Sequence, residues 1–86
     1  MSATVEIYTS KVCPYCDRAK NLLKQKGVDY KEIDVSDDRE LLTKMIERAN
    51  GMRTVPQIFI NDEHIGGSDD LYDLERQGSL DEKLGL

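Results

Sequence analysis

Between Thr4 and Val35 the hydrophobic period changes from two to helical and back to two, which constrains the fold more than any other feature of the chain. "TVEIY" at 4–8 alternates β-branched or aromatic residues with polar ones, as a half-buried strand does. Pro14 suits a first helical position, where its missing N–H costs nothing. Ala19, Leu22 and Leu23 then recur at helical spacing until Gly27, predicting a helix over 14–26. Alternation returns in "VDYKEIDV", predicting a second strand over 28–35. A helix crossing between two strands brings them parallel, so the first third of the chain reads as a β-α-β unit.

Asp37 with Glu40 resembles a capping pair, and Leu41, Leu42, Met45, Ile46 and Ala49 mark one face of a second helix that ends at Asn50 and Gly51. Met45 is expected in the core. "QIFI" at 57–60 and "EHI" at 63–65, joined across Asn61 and Asp62, predict an antiparallel hairpin at the far side of the sheet. Gly66 and Gly67 break the chain. Ser68 is a good N-cap for a third helix that carries Leu71 and Leu74 and closes at Gly78; Ser79 and Glu82 cap a last short helical turn. With 86 residues there is room for one modest core, so residues 1–86 are expected to form a single domain.

The net charge of -5 argues against a nucleic-acid partner, because phosphate binding rests on clustered Lys and Arg. No apolar run approaches membrane-spanning length, and "MSATVEIYTSK" lacks a basic stretch followed by an apolar core. The expected location is the cytoplasm, where thiols are kept reduced. The charge is uneven: residues 1–31 carry six bases against three acids, whereas residues 32–86 carry six against fourteen. Both cysteines, Cys13 and Cys16, lie in the positive third.

Three positions apart on the opening turn of a helix, Cys13 and Cys16 share a face, with Cα atoms within disulfide range. As a staple such a bond would stabilise little, because the loop it closes spans four residues. Zinc demands four donors, and His64 is the only further Cys or His in the chain. A metal or iron–sulfur module bridging two subunits through Cys13 is the alternative. Cys-x-x-Cys beside a β-α-β pattern in a cytosolic chain reads as a redox motif. Cys13 occupies the N-cap position, where its sulfur can accept from the N–H groups of Tyr15 and Cys16 while the helix dipole favours negative charge. Lys11, two residues earlier, adds to that field. Such surroundings bring a thiol pKa from about 8.5 into the range of roughly 3.5 to 7.5. Cys16, one turn in, is expected to be more buried and to act as the resolving thiol.

A pKa near 6 would raise the thiolate fraction at pH 7 from about 3% to about 90%, while a Brønsted slope near 0.45 removes roughly 13-fold of nucleophilicity. Attack gains only about twofold; the larger benefit comes when the low-pKa sulfur leaves a mixed disulfide. The chemistry favoured is a shuttle through a disulfide on Cys13 awaiting a small external thiol.

"CPYC", "RTVPQIFI" and "IGGSDDL", in that order and at fitting separations, resemble the glutaredoxins in the small dithiol form found in bacteria. The match spans almost the whole chain, and the Pro14-Tyr15 pair favours this family over thioredoxins, which usually carry Gly-Pro there. The resemblance implies a thioredoxin fold, a four-stranded mixed sheet flanked by helices. It also implies a glutathione-dependent disulfide oxidoreductase with glutathione as cosubstrate, no tightly bound cofactor, and disulfide-containing or glutathionylated proteins as partners. A monomer is expected. In the family, the residue matching Pro56 is cis, and Val55 offers its backbone to the glutathione cysteinyl unit. Gly66 and Gly67 permit close approach, and the N–H groups of Ser68 and Asp69 suit the γ-glutamyl carboxylate, with the Asp69 side chain meeting its ammonium. Asp70 alternatively just strengthens the helix start. The resemblance places Lys11 and Arg53 near the glycyl carboxylate and puts Tyr15, Thr54 and Gln57 along the same groove. Many members have Cys after the two glycines where this chain has Ser68, which removes a third redox-active thiol but keeps the backbone contact. A reductase of thioredoxin type, served directly by a flavoprotein, is the closer rival.

Overall fold

Four strands and four helices make up the computed structural model, which describes residues 3–86. They follow in the order β1 (Val5–Thr9), α1 (Pro14–Gln25), β2 (Lys31–Asp34), α2 (Arg39–Arg48), β3 (Gln57–Ile60), β4 (Glu63–Gly66), α3 (Ser68–Gln77) and α4 (Leu80–Leu84). The sheet order is β2-β1-β3-β4. β1 and β2 run parallel, and β3 is antiparallel to both β1 and β4, giving the mixed four-stranded sheet of a thioredoxin fold. The β3–β4 turn is made by Asn61 and Asp62, both at positive φ (51° and 66°), a conformation these residue types tolerate well.

Alternation along the two central strands divides the core. Val5 and Ile7 of β1 and Ile58 and Ile60 of β3 face α1, α3 and α4, burying Ala19, Leu22, Leu23, Leu71, Leu80 and Leu84. Tyr8 and Phe59 face the other way, toward α2, where Met45 is fully buried as expected. Arg48 closes that second layer. Its guanidinium donates to Glu6 at 2.9 Å and to the Tyr8 hydroxyl at 2.9 Å, and its Cζ lies 4.1 Å from the Phe59 ring centroid. The Arg48 hydrogen bond holds the Glu6 carboxyl below its ordinary value, and the same pair raises that of Arg48.

Element boundaries and caps differ from expectation in several places. The second strand begins at Lys31, not Val28. Val28 and Tyr30 are half-buried against the core while the chain returns from Gly27 (φ 70°), and pairing to β1 starts only at Glu6 with Lys31. The cap of α2 is Asp38, whose Oδ1 accepts from Glu40 N and Leu41 N at 3.0 and 3.1 Å; Asp37 pairs instead with Lys11. The cap of α3 is Gly67, with the Asp70 carboxylate accepting from its N–H at 2.9 Å, so Ser68 is the first helical residue. Ser79 does occupy the N-cap of α4, but its side chain makes no capping hydrogen bond.

Candidate functional site

The chain leaves β1 at Thr9 and reaches Cys13 four residues later, at the N-cap of α1 with extended backbone (φ -149°, ψ 95°). Two backbone anchors hold this connection. Lys11 N–H donates to Ser36 Oγ at 2.8 Å, and Val35 N–H donates to the Thr9 carbonyl at 2.9 Å. Pro14 stands at the first helical position, as its geometry requires.

Cys13 and Cys16 are joined as a disulfide, with Cα atoms 5.1 Å apart. The structure therefore shows the oxidised member of a dithiol–disulfide couple. The Cys16 N–H donates to Cys13 Sγ at 3.1 Å. Of the two amides expected to serve that sulfur, the Cys16 amide makes the bond. Cys13 is half-buried and Cys16 is 1% exposed, so an incoming reagent meets Cys13 first. Cys13 Sγ also lies 3.8 Å from the Val55 carbonyl oxygen, which ties the thiol pair to the loop before β3.

That loop forms one wall of a groove of about 210 Å³ lined by Tyr15, Met52, Thr54, Val55, Pro56, Gly67, Ser68, Asp69 and Asp70. The Val55–Pro56 peptide is cis. Gly66 has φ 118°, and a Cβ built on it would run into the Asp70 carboxylate, so any side chain there would both strain the backbone and displace that carboxylate. α3 then points its N-terminus at the groove, where the first amides have no partner within the helix. The Ser68 side chain is buried, and its Oγ has no hydrogen-bond partner among the described residues. Tyr72 OH donates to the Arg18 carbonyl at 3.1 Å, fixing α3 against α1, the helix that carries Tyr15 of the lining.

The structure thus gathers most of the expected residues around one cleft: Cys13, Tyr15, Thr54, Val55, Pro56, Gly67, Ser68 and Asp69. Lys11 and Arg53 are exposed and lie outside its lining, and the Lys11 ammonium is engaged by Asp37. Gln57, expected along the groove, is fully buried behind it. Asp70 both lines the groove and supports the helix start. Met52, 44% exposed, joins the lining although sequence reasoning did not single it out; the one signal was an apolar side chain directly after Gly51. Among the described residues, no group of three or more His, Cys, Asp or Glu side chains is placed to hold a metal ion. Nor, among the described residues, is any helix long and apolar enough to cross a membrane.

Comparison with known proteins follows the same lines. The glutaredoxin family model matches residues 5–65. A probable glutaredoxin from Synechocystis sp. is 52% identical over 84 residues, covering 98% of this chain and 96% of that protein. Glutaredoxin 3 of Escherichia coli is 52% identical over 82 residues, covering 95% and 98%. The crystal structure of a buckwheat glutaredoxin–glutathione complex superimposes with a TM-score of 0.87 at 30% identity, covering 96% of this chain and 77% of that one. With its Cys-Pro-Tyr-Cys sequence beside the groove between the 52–56 loop and α3, the chain belongs to the glutaredoxin family of glutathione-dependent thiol–disulfide oxidoreductases.

Proposed function

We propose that Cys13 is the attacking thiol, that Cys16 is the resolving thiol, and that the groove between the 52–56 loop and α3 holds the glutathione moiety. The observation that carries this assignment is asymmetry. Cys13 is only half-buried and its sulfur accepts the Cys16 N–H at the start of a helix, whereas Cys16 is buried one turn in. Helix-terminal amides stabilise an anion at Cys13 and have no such purchase on Cys16.

With a glutathionylated substrate, the Cys13 thiolate attacks the glutathione sulfur. A Cys13–glutathione disulfide forms, and the substrate leaves as a thiolate that takes up a proton. The thiolate of a second glutathione then attacks the glutathione sulfur of that intermediate, releasing glutathione disulfide and restoring the Cys13 thiolate. With a protein disulfide, Cys13 forms a mixed disulfide with one substrate sulfur. Cys16 attacks Cys13, freeing the substrate dithiol and leaving the Cys13–Cys16 bond, which two glutathione molecules reduce.

The groove suits a tripeptide with a charged end. The Val55 backbone offers N–H and C=O for strand-like pairing. The Ser68 and Asp69 amides at the start of α3 suit a carboxylate, and the Asp69 carboxylate suits an adjacent ammonium. Tyr15, Thr54, Pro56 and Gly67 shape the walls. Lys11 and Arg53 act from outside the lining, as cations steering the glycyl carboxylate. The buckwheat relative supports this assignment, because its crystal structure is of a glutathione complex. The protein works as a cytoplasmic monomer on disulfide-containing or glutathionylated proteins, with glutathione as cosubstrate.

The test is reduction of a glutathione mixed disulfide by single-cysteine variants. Cys16→Ser retains this activity and Cys13→Ser has none; the reverse pattern overturns the assignment of roles.

A further inference from the structure

Gln57 is the first residue of β3 and faces the α2 layer with Phe59, away from the groove, yet it is completely buried with every polar atom engaged. Its Nε2 donates to the Thr54 carbonyl at 3.0 Å and to Thr54 Oγ1 at 3.2 Å. Its Oε1 is 2.7 Å from His64 Nε2. A carbonyl can only accept, so the Thr54 carbonyl fixes which end of the amide is nitrogen. The Gln57 oxygen therefore faces His64, and His64 must carry its proton on Nε2 to donate. Nδ1 is left as an acceptor, and Asn50 Nδ2 lies 3.4 Å from it. Stacking on Phe59, with centroids 5.1 Å apart and planes 30° apart, sets the plane of the imidazole.

The relay therefore starts at Asn50, two residues beyond the end of α2, and finishes at Thr54. Between those two anchors runs the segment that supplies Met52 to the groove. The Thr54–Val55 peptide is planar and trans, so its C=O and N–H point in opposite directions. Holding the Thr54 carbonyl back toward Gln57 aims the Val55 N–H forward, toward the cleft.

From this geometry we infer that Gln57 and His64 are positioning residues for glutathione selectivity: they act through the Thr54–Val55 peptide and touch neither ligand nor thiol. The inference rests on the proposed seating of glutathione against Val55.

The experiment compares kcat/KM for one peptide carried as a mixed disulfide with glutathione and as a mixed disulfide with free cysteine. Both substrates use Cys13, but only the first engages the groove. In the wild type the glutathione adduct is preferred. Gln57→Met, which keeps the volume and removes the amide, loses about five- to tenfold of that preference, the equivalent of one well-placed hydrogen bond. His64→Phe keeps the stack on Phe59 but removes the donor, and it loses a similar factor. His64→Gln restores a donor to Gln57 and recovers most of the preference. A general loss of structure would depress both substrates together and leave the ratio unchanged. Folded variants with the wild-type ratio overturn the inference, and the two His64 variants decide it if Gln57→Met does not fold. A wild type with no preference would instead overturn the seating of glutathione itself.

Discussion

The Cys16 backbone amide donates to the Cys13 sulfur at 3.1 Å, so the two residues are coupled by a hydrogen bond as well as by their covalent bond. The donor belongs to the backbone and survives reduction. It then faces a thiol whose anion it stabilises, together with the dipole of α1.

A stability difference between the redox forms follows. The oxidised form gains little from a cross-link that closes four residues within one helical turn, about 2 kcal/mol in the chain-entropy model. If Cys13 has the role proposed for it, its thiol pKa is lowered on folding and the reduced form gains from that. A depressed acid contributes stability that is complete above the unfolded value of about 8.5 and is lost as pH falls through the folded value. Urea unfolding with and without reductant should therefore show the reduced form gaining on the oxidised form as pH rises from 5 to 9. A difference independent of pH would mean that folding does not perturb Cys13.

The Glu6–Arg48 pair makes an acid-side prediction. Its hydrogen bond to Arg48 holds Glu6 below the ordinary 4.5, so the pair's contribution is full above that value and disappears as pH falls through the lowered one. Glu6→Gln should cost about 1–2 kcal/mol at pH 7, because it also leaves a half-buried guanidinium poorly paired. The wild type and variant should converge as the pH falls through the lowered Glu6 value in denaturant titrations. A constant gap would assign the loss to packing.

Gly66 separates backbone strain from crowding. At Gly78 (φ 77°) an added Cβ meets nothing within 4 Å, so Gly78→Ala should cost about 1 kcal/mol from positive φ alone. At Gly66 the same methyl would displace the Asp70 carboxylate that caps α3, and Gly66→Ala should cost about 2–3 kcal/mol. It should also weaken glutathione binding, readable by calorimetry, whereas Gly78→Ala leaves binding intact.

How far the sequence could be read depended on the range of the interaction. The alternation in Val5–Thr9 and the Pro14-to-Gly27 run are local signals, and the fold they predict is the one found. The second strand starts later than the alternation predicts because "VDY" continues the pattern of "KEIDV", whereas register against β1 sets where pairing starts. The caps found, Asp38 and Gly67, each adjoin the expected residue, Asp37 and Ser68, and a shift of one residue leaves the helical pattern unchanged. Lys11 drawing Asp37 away and Asp70 reaching Gly67 settle the choice, and neither contact shows in a helical pattern. Cys13, Cys16 and the groove residues near Pro56 and Gly67 were legible from motifs. The Asn50–His64–Gln57–Thr54 relay was not, because it depends on the β3–β4 register that sets Phe59 opposite His64.

The most direct test of the central claim is the pH dependence of Cys13 alkylation by iodoacetamide in the reduced Cys16→Ser variant, which retains the backbone amide. An anionic sulfur held at the start of α1 predicts a rate that reaches its plateau below pH 7.5. A rate still climbing through pH 8.5, as for a free cysteine, would contradict the account.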